Sequence, residues 1–235
     1  DDILSTSKGG GKSDRKYNEL VTEEQFAWLA KDLAFVPKDY SVIVAMHATT
    51  GNLDSADNRN RLVGSFEGFS NVHFVTGHTH KFSQTALTAT CFDHNTGAVC
   101  ADWWNSASNT NGAINIGQDG APAGYSIYNV SGAELKWQYK PTGISTDYQF
   151  RSYDRNSINL AASEVMPDAA EANKLLFDKY AAGWIGSSTA NEVYINVWNY
   201  GPGWNIEVKE SGKSLEVSKA SSTLYKDPLH LFVYQ

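Results

Sequence analysis

Val72-His73-Phe74-Val75-Thr76 runs directly into Gly77-His78-Thr79-His80, placing two imidazoles two residues apart where an apolar, β-branched segment ends. Such a run predicts a strand, and a glycine at its end lets the backbone turn sharply. On extended backbone, side chains two apart point the same way, so both rings are expected to converge on one point. Neutral imidazole is the commonest protein ligand for divalent transition metals. A lone H-x-H also suits a polar loop whose histidines cap backbone groups, and the motif alone leaves both readings open.

A second segment favours the metal. Ser41-Val42-Ile43-Val44-Ala45-Met46-His47 is another short apolar run ending in a histidine, and its lack of alternation predicts a strand buried on both faces. Between the two runs, Leu62, Phe66 and Phe69 recur at helical spacing, with Gly64 weakening the helix. Strand, helix, strand is a crossover unit, which makes the two strands parallel and neighbouring. Both histidine-bearing ends then share one sheet edge, the edge at which ligands bind in α/β folds.

A strand ending in Met46-His47, followed by one ending in Gly77-His78-Thr79-His80, resembles the last two metal motifs of calcineurin-like metallophosphoesterases. The stretch 1–11 and the segment Thr22-Glu23-Glu24-Gln25-Phe26-Ala27-Trp28-Leu29 are also similar to that family. Gly124-Tyr125-Ser126-Ile127-Tyr128 and the segment 147–154 resemble the approach to an extra C-terminal domain found in its secreted bacterial branch. The resemblance implies an α+β chain: the C-terminal half of a metallophosphoesterase α/β sandwich over 1–142, then a mainly-β, sandwich-like domain over 143–235. It implies secretion, or a periplasmic or cell-surface location.

The family's first three motifs, D-x-H, G-D-x-x-[DN] and G-N-H-[DE], do not occur in this sequence; Asp93-His94 has the wrong spacing. Where the family often has a proline soon after the histidine equivalent to His47, Ala48-Thr49-Thr50-Gly51-Asn52 follows, so the shape of the substrate-side loop is not carried over. The chain is expected to be the C-terminal portion of a longer enzyme. By carry-over, His47 and His78 would ligate one divalent ion and His80 the other, the ions being Zn, Mn or Fe. The bridging aspartate, the amide ligand and the acid histidine would come from the missing N-terminal half of the same fold. Alone, the chain is expected to bind metal weakly or not at all and to be inactive. The implied substrate is a small phosphoester.

Composition bounds the partners. The 235 residues carry 19 Lys and Arg against 26 Asp and Glu, a net charge of -7, with no basic run, which disfavours a nucleic-acid polymer. No apolar stretch approaches the roughly 20 residues of a membrane span. Cys91 and Cys100 flank Asp93-His94-Asn95-Thr96-Gly97, whose residue types predict a turn between two short strands. A cross-strand disulfide and two buried thiols are both compatible with that spacing.

Thr22 and Gln25 predict a capping box opening a helix whose face is Phe26, Leu29 and Leu33, with Trp28 at its edge and Pro37 ending the segment. A second helix is predicted over 168–180 with Ala169, Ala172, Leu175, Leu176 and Tyr180 on its apolar side. The run Gly9-Gly10-Gly11 lacks phosphate-loop spacing and reads as a surface loop. Later strands are predicted at 123–130, 133–139, 148–153, 192–198, 204–209 and 229–234. Trp103, Trp104, Trp198 and Trp204 suit core packing or a stacked ligand. Three functions are compatible: a metal-dependent phosphoesterase, a non-catalytic β-sandwich module gripping glycan or protein, and a mononuclear metal protein using His47, His78 and His80.

Overall fold

In the computed structural model, residues 3–5, 17–99, 116–117, 119–220 and 226–233 are described. They fall into two compact units, Asp1–Ala98 with Tyr125–Gln138, and Val99–Gly124 with Tyr139–Gln235. Cys100, Trp103, Trp104 and Gly9–Gly11 lie outside the described residues.

The first unit opens with the short antiparallel pair β1 (Ile3–Ser5) and β2 (Tyr17–Glu19). Helix α1 (Glu23–Leu33) follows, with the predicted capping box: Thr22 Oγ1 accepts from Gln25 N–H, and Gln25 Oε1 accepts from Thr22 N–H at 2.7 Å. Strand β3 (Ser41–Ala45), helix α2 (Ala56–Gly64) and strand β4 (Asn71–Thr76) then form the predicted crossover, with β3 and β4 parallel. Strand β5 (Phe82–Ala86) runs antiparallel to β6 (Cys91–Thr96), which is itself parallel to β4, so the sheet order is β3-β4-β6-β5.

This sheet has two different faces, as the period-two alternation of strands requires. Val72 and Phe74 of β4 and Cys91 of β6 face the helices and join Phe26, Leu33, Leu62, Phe66 and Phe69 in one apolar core. Phe66 meets Phe74 edge-on with centroids 5.4 Å apart. Burying each such ring contributes about 1.5–3 kcal/mol. The other face carries His73 and His94, with Trp137 and Tyr128 edge-on to His94 at 4.7 and 5.7 Å. Those aromatics come from a hairpin, β7 (Gly124–Ser131) and β8 (Glu134–Pro141), whose outer part belongs to this unit. Trp28, expected at the edge of the α1 face, is 63% exposed.

The stretch 91–96 is a continuous strand, where its composition predicted a turn. Asp93, His94 and Asn95 are turn formers when solvated, but here all three are buried and hydrogen-bonded. A parallel partner and hydrogen-bond partners on both faces override the local preference. Cys91 is buried against the helices, and burial pushes its thiol up to about 11.

The second unit keeps the mixed α+β class without a sandwich among its described residues. Strand β9 (Phe150–Asp154) leads to a short helix α3 (Ala162–Val165) and to α4 (Glu171–Ala181). Strand β10 (Val193–Val197) pairs antiparallel with β9, and β11 (Lys209–Glu210) with β12 (Lys213–Ser214). The segment expected as a strand over 204–209 reaches the ladder only at Lys209. Residues 229–234 were expected as a strand, yet Pro228–Val233 is helix α5. Asp227 explains this: Oδ1 accepts from Leu229 N–H at 2.9 Å and His230 N–H at 3.4 Å, an N-cap followed by proline at the first helical position.

Helix α4 also buries a face other than the predicted one. Phe177 and Ala181 pack with Leu160, Ala162, Trp184 and Leu231, and Asp178 accepts from Ala162 N–H at 2.7 Å. Leu175 and Leu176 stand 70% and 52% exposed on the opposite side. Trp198 is 1% exposed, beneath the Arg151 guanidinium at 5.0 Å, so its ring offers no open stacking surface. Arg151 donates to the Tyr148 and Tyr153 hydroxyls and to the Gly120 carbonyl at 3.0–3.2 Å; Tyr153 in turn donates to Asp227 at 2.6 Å.

Candidate metal centre

The carboxyl ends of β3 and β4 are tied together by backbone bonds that continue past the ladder. Met46 N–H donates to the Val75 carbonyl at 3.2 Å, and Gly77 N–H donates to the His47 carbonyl at 2.9 Å. His47 and His78 are thereby brought side by side, His47 Nε2 lying 3.0 Å from His78 Nδ1. Two imidazole nitrogens bound to one divalent ion at about 2.0–2.1 Å each would be separated by roughly 3 to 3.4 Å. The pair therefore fits one edge of a coordination shell, and as it stands one ring donates a proton to the other. His47 is exposed and His78 is half-buried.

The extended backbone expected at the H-x-H is not what forms. His78 and His80 have φ of 68° and 57°, two of the five left-handed non-glycine residues among those described. Thr79 N–H turns back to the Gly77 carbonyl at 2.8 Å, so the chain curls instead of continuing the strand. Left-handed histidines cost on the order of 1–3 kcal/mol each and cluster at functional sites. His80 follows on this curl, half-buried. Among the described residues, no three His, Cys, Asp or Glu side chains come together to hold an ion, so His47 and His78 form a pair that His80 does not complete.

Three further residues escaped the sequence reading. Asp93, buried on the helix face of β6, accepts from Thr50 N–H at 2.7 Å, from the Thr50 hydroxyl at 2.6 Å and from the Thr76 hydroxyl at 2.7 Å. One carboxylate thus clamps the loop after His47 to the strand end before His78. Asn95 donates to Thr79 Oγ1, the hydroxyl between the two histidines of the curl. Glu19, at the end of β2, reaches His78 Nε2 with Oε1 at 2.5 Å, and both side chains are largely shielded from solvent. No local motif marks these residues; the register that sets β6 beside β4 in the folded chain is what brings Asp93 to the site.

On the other sheet face, His73 Nδ1 meets His94 Nε2 at 2.7 Å, and His94 Nδ1 meets the Gln84 side-chain carbonyl. Burial lowers both imidazoles, His94 to about 4 with a further contribution from His73. They are neutral near pH 7 and serve packing.

Residues 93–233, more than half of the chain, match the family described as the C terminal of calcineurin-like phosphoesterase. The chain belongs to the calcineurin-like phosphoesterases. No curated protein and no solved structure matches it. The matched region of this phosphoesterase chain begins at Asp93, so His47, His78 and His80 lie upstream of it. Among the described residues no helix is long and apolar enough to cross a membrane.

Proposed function

We propose that this chain contributes the last histidine ligands of a two-metal site in an enzyme that hydrolyses a small phosphate ester. The observation that supports the reading best is the facing pair His47 Nε2 and His78 Nδ1, 3.0 Å apart at adjoining strand ends, in a chain of phosphoesterase family. His47 and His78 would hold one divalent ion and His80 the second, with Zn, Mn and Fe all suited to imidazole donors. Bound there, such ions polarise phosphoryl oxygens and lower the pKa of a coordinated water.

The chain's own residues carry the positioning. His47 and His78 each offer one ring lone pair, and Asp93 ties the loop after His47 to the end of β4 through Thr50 and Thr76. Asn95 steadies the curl through Thr79. The bridging carboxylate, the amide ligand and the acid histidine would come from an N-terminal half bearing D-x-H, G-D-x-x-[DN] and G-N-H-[DE], which this sequence lacks. The reading extends to secretion or a periplasmic or surface location, and to a division of the chain near 142/143. Both of these rest on the branch resemblance and on sequence punctuation.

The test is phosphate release from a generic aryl phosphate by the chain joined to its upstream coding sequence, with Mn²⁺ or Zn²⁺ added. Turnover is expected, with loss of at least a hundredfold in His78→Ala. Retained turnover in that variant overturns the assignment.

A further inference from the structure

His78 is approached from both sides of its ring. Nδ1 faces His47 Nε2 at 3.0 Å, and Nε2 faces Glu19 Oε1 at 2.5 Å. An ionised carboxylate only accepts hydrogen bonds, so the proton of a neutral His78 ring belongs on Nε2, between ring and carboxylate. That leaves Nδ1 as the lone pair, directed at His47. In the metal-free chain His47 Nε2–H fills that position as donor; an ion would take the place of this proton while His47 carries its own on Nδ1.

We propose that Glu19 is a positioning residue that locks His78 in the Nε2–H form, presenting Nδ1 as a preorganised ligand atom. Ligating imidazoles commonly donate their second N–H to a carboxylate, which fixes the ring and raises its basicity. The backbone here is built to hold that carboxylate. Glu19 is the last residue of β2, and its carbonyl accepts from Asp54 N–H at 2.7 Å, an anchor independent of its side chain. The side chains of His78 and Glu19 are only 17% and 13% exposed, so water competes weakly for the pair. Opposite nitrogens of one ring point apart, so Glu19 cannot bind the same ion as His78 Nδ1. It serves the ring alone.

The tautomer part needs no metal; the ligand part rests on the proposed function, and two measurements separate them. Ring-nitrogen NMR of the metal-free chain at mildly alkaline pH reports which nitrogen of His78 carries the proton. The Nε2–H form is expected in the parent chain, a mixture of tautomers in Glu19→Ala, and recovery of the Nε2–H form in Glu19→Asp. An Nδ1–H ring in the parent, or a tautomer unchanged by Glu19→Ala in a folded chain, overturns the proposal. Backbone amide spectra identify any variant that has unfolded, and the parent spectrum alone still decides. Zn²⁺ is then titrated into the chain joined to its upstream coding sequence while the same resonances are followed. Shifts at His78 Nδ1 and His47 Nε2 are expected, with apparent affinity reduced 10- to 100-fold in Glu19→Ala. Parent rings that ignore Zn²⁺ while keeping the Nε2–H form would sink the metal reading and leave the tautomer lock standing; equal affinity in parent and Glu19→Ala overturns the positioning role.

Discussion

The residue with the widest reach in the first unit is Asp93. One carboxylate oxygen takes two donors from Thr50 and the other takes the Thr76 hydroxyl, all inside the protein. Removing a buried acceptor leaves its donors unsatisfied, at about 1–3 kcal/mol per group. Asp93→Ala is therefore expected to lower stability by on the order of 3 kcal/mol in urea unfolding. Asp93→Asn keeps one oxygen for Thr50 and presents an amide to a hydroxyl that can accept, so it is expected to lose about half as much. Equal losses in the two variants would show that Asp93 fills space without clamping the loop. The buried imidazole pair obeys a similar proton rule. If His94 donates from Nδ1 to Gln84, its Nε2 accepts from His73 Nδ1–H, which leaves His73 Nε2 as a buried lone pair without a partner.

At the scale of elements, the ends of helices and the choice of buried face decide the fold. The α1 capping box satisfies two N–H groups that would otherwise lack partners, so Thr22→Ala should cost about 1 kcal/mol in thermal or urea unfolding. Helix α4 separates hydrophobicity from burial. Phe177→Ala is expected to cost about 3–5 kcal/mol, because the ring is enclosed by Leu160, Trp184 and Leu231. Leu175→Gln and Leu176→Gln should each stay within about 0.5 kcal/mol, because those side chains stand in solvent. If the Leu175 and Leu176 variants are the damaging pair, the helix is rotated from the orientation described. Unfolding of the three variants side by side settles the point.

For the molecule as a whole, buried neutral histidines link stability to acid. The ordinary histidine value of 6.5 is lowered to about 4 at His94, and burial also lowers His73 and His230. Above about pH 7 folded and unfolded chains are both neutral at these groups, and their full contribution to stability is present. As the pH falls through 6.5 the unfolded chain takes up protons first, and stability is lost until His94 itself protonates near 4. His94 alone accounts for on the order of 3 kcal/mol at the acid end. Thermal unfolding followed from about pH 7 to about pH 4 should show this fall, made shallower in His94→Gln. An unchanged slope in that variant would mean the pair is not the titrating element.

The sequence by itself determined the crossover that sets β3 beside β4, the capping box of α1, the strands around 150–154 and 193–197, and the family. Each depends on neighbours in the chain: apolar runs of strand length, a Thr-x-x-Gln pattern, motifs of fixed order. Only the tertiary structure decided that 91–96 is a strand, because its turn-forming residues are satisfied by Thr50, Thr76, His73 and Thr79, distant in sequence. It likewise chose the buried face of α4, since several faces of that helix carry apolar side chains and only packing picks one. The start of α5 was legible in Asp227-Pro228, but the apolar letters after it suit strand and helix alike. At the candidate centre, spacing located His47 and His78. The left-handed curl at His78 and His80 and the carboxylate of Glu19 at the far side of the His78 ring are set by the folded backbone, and linear order holds no record of them.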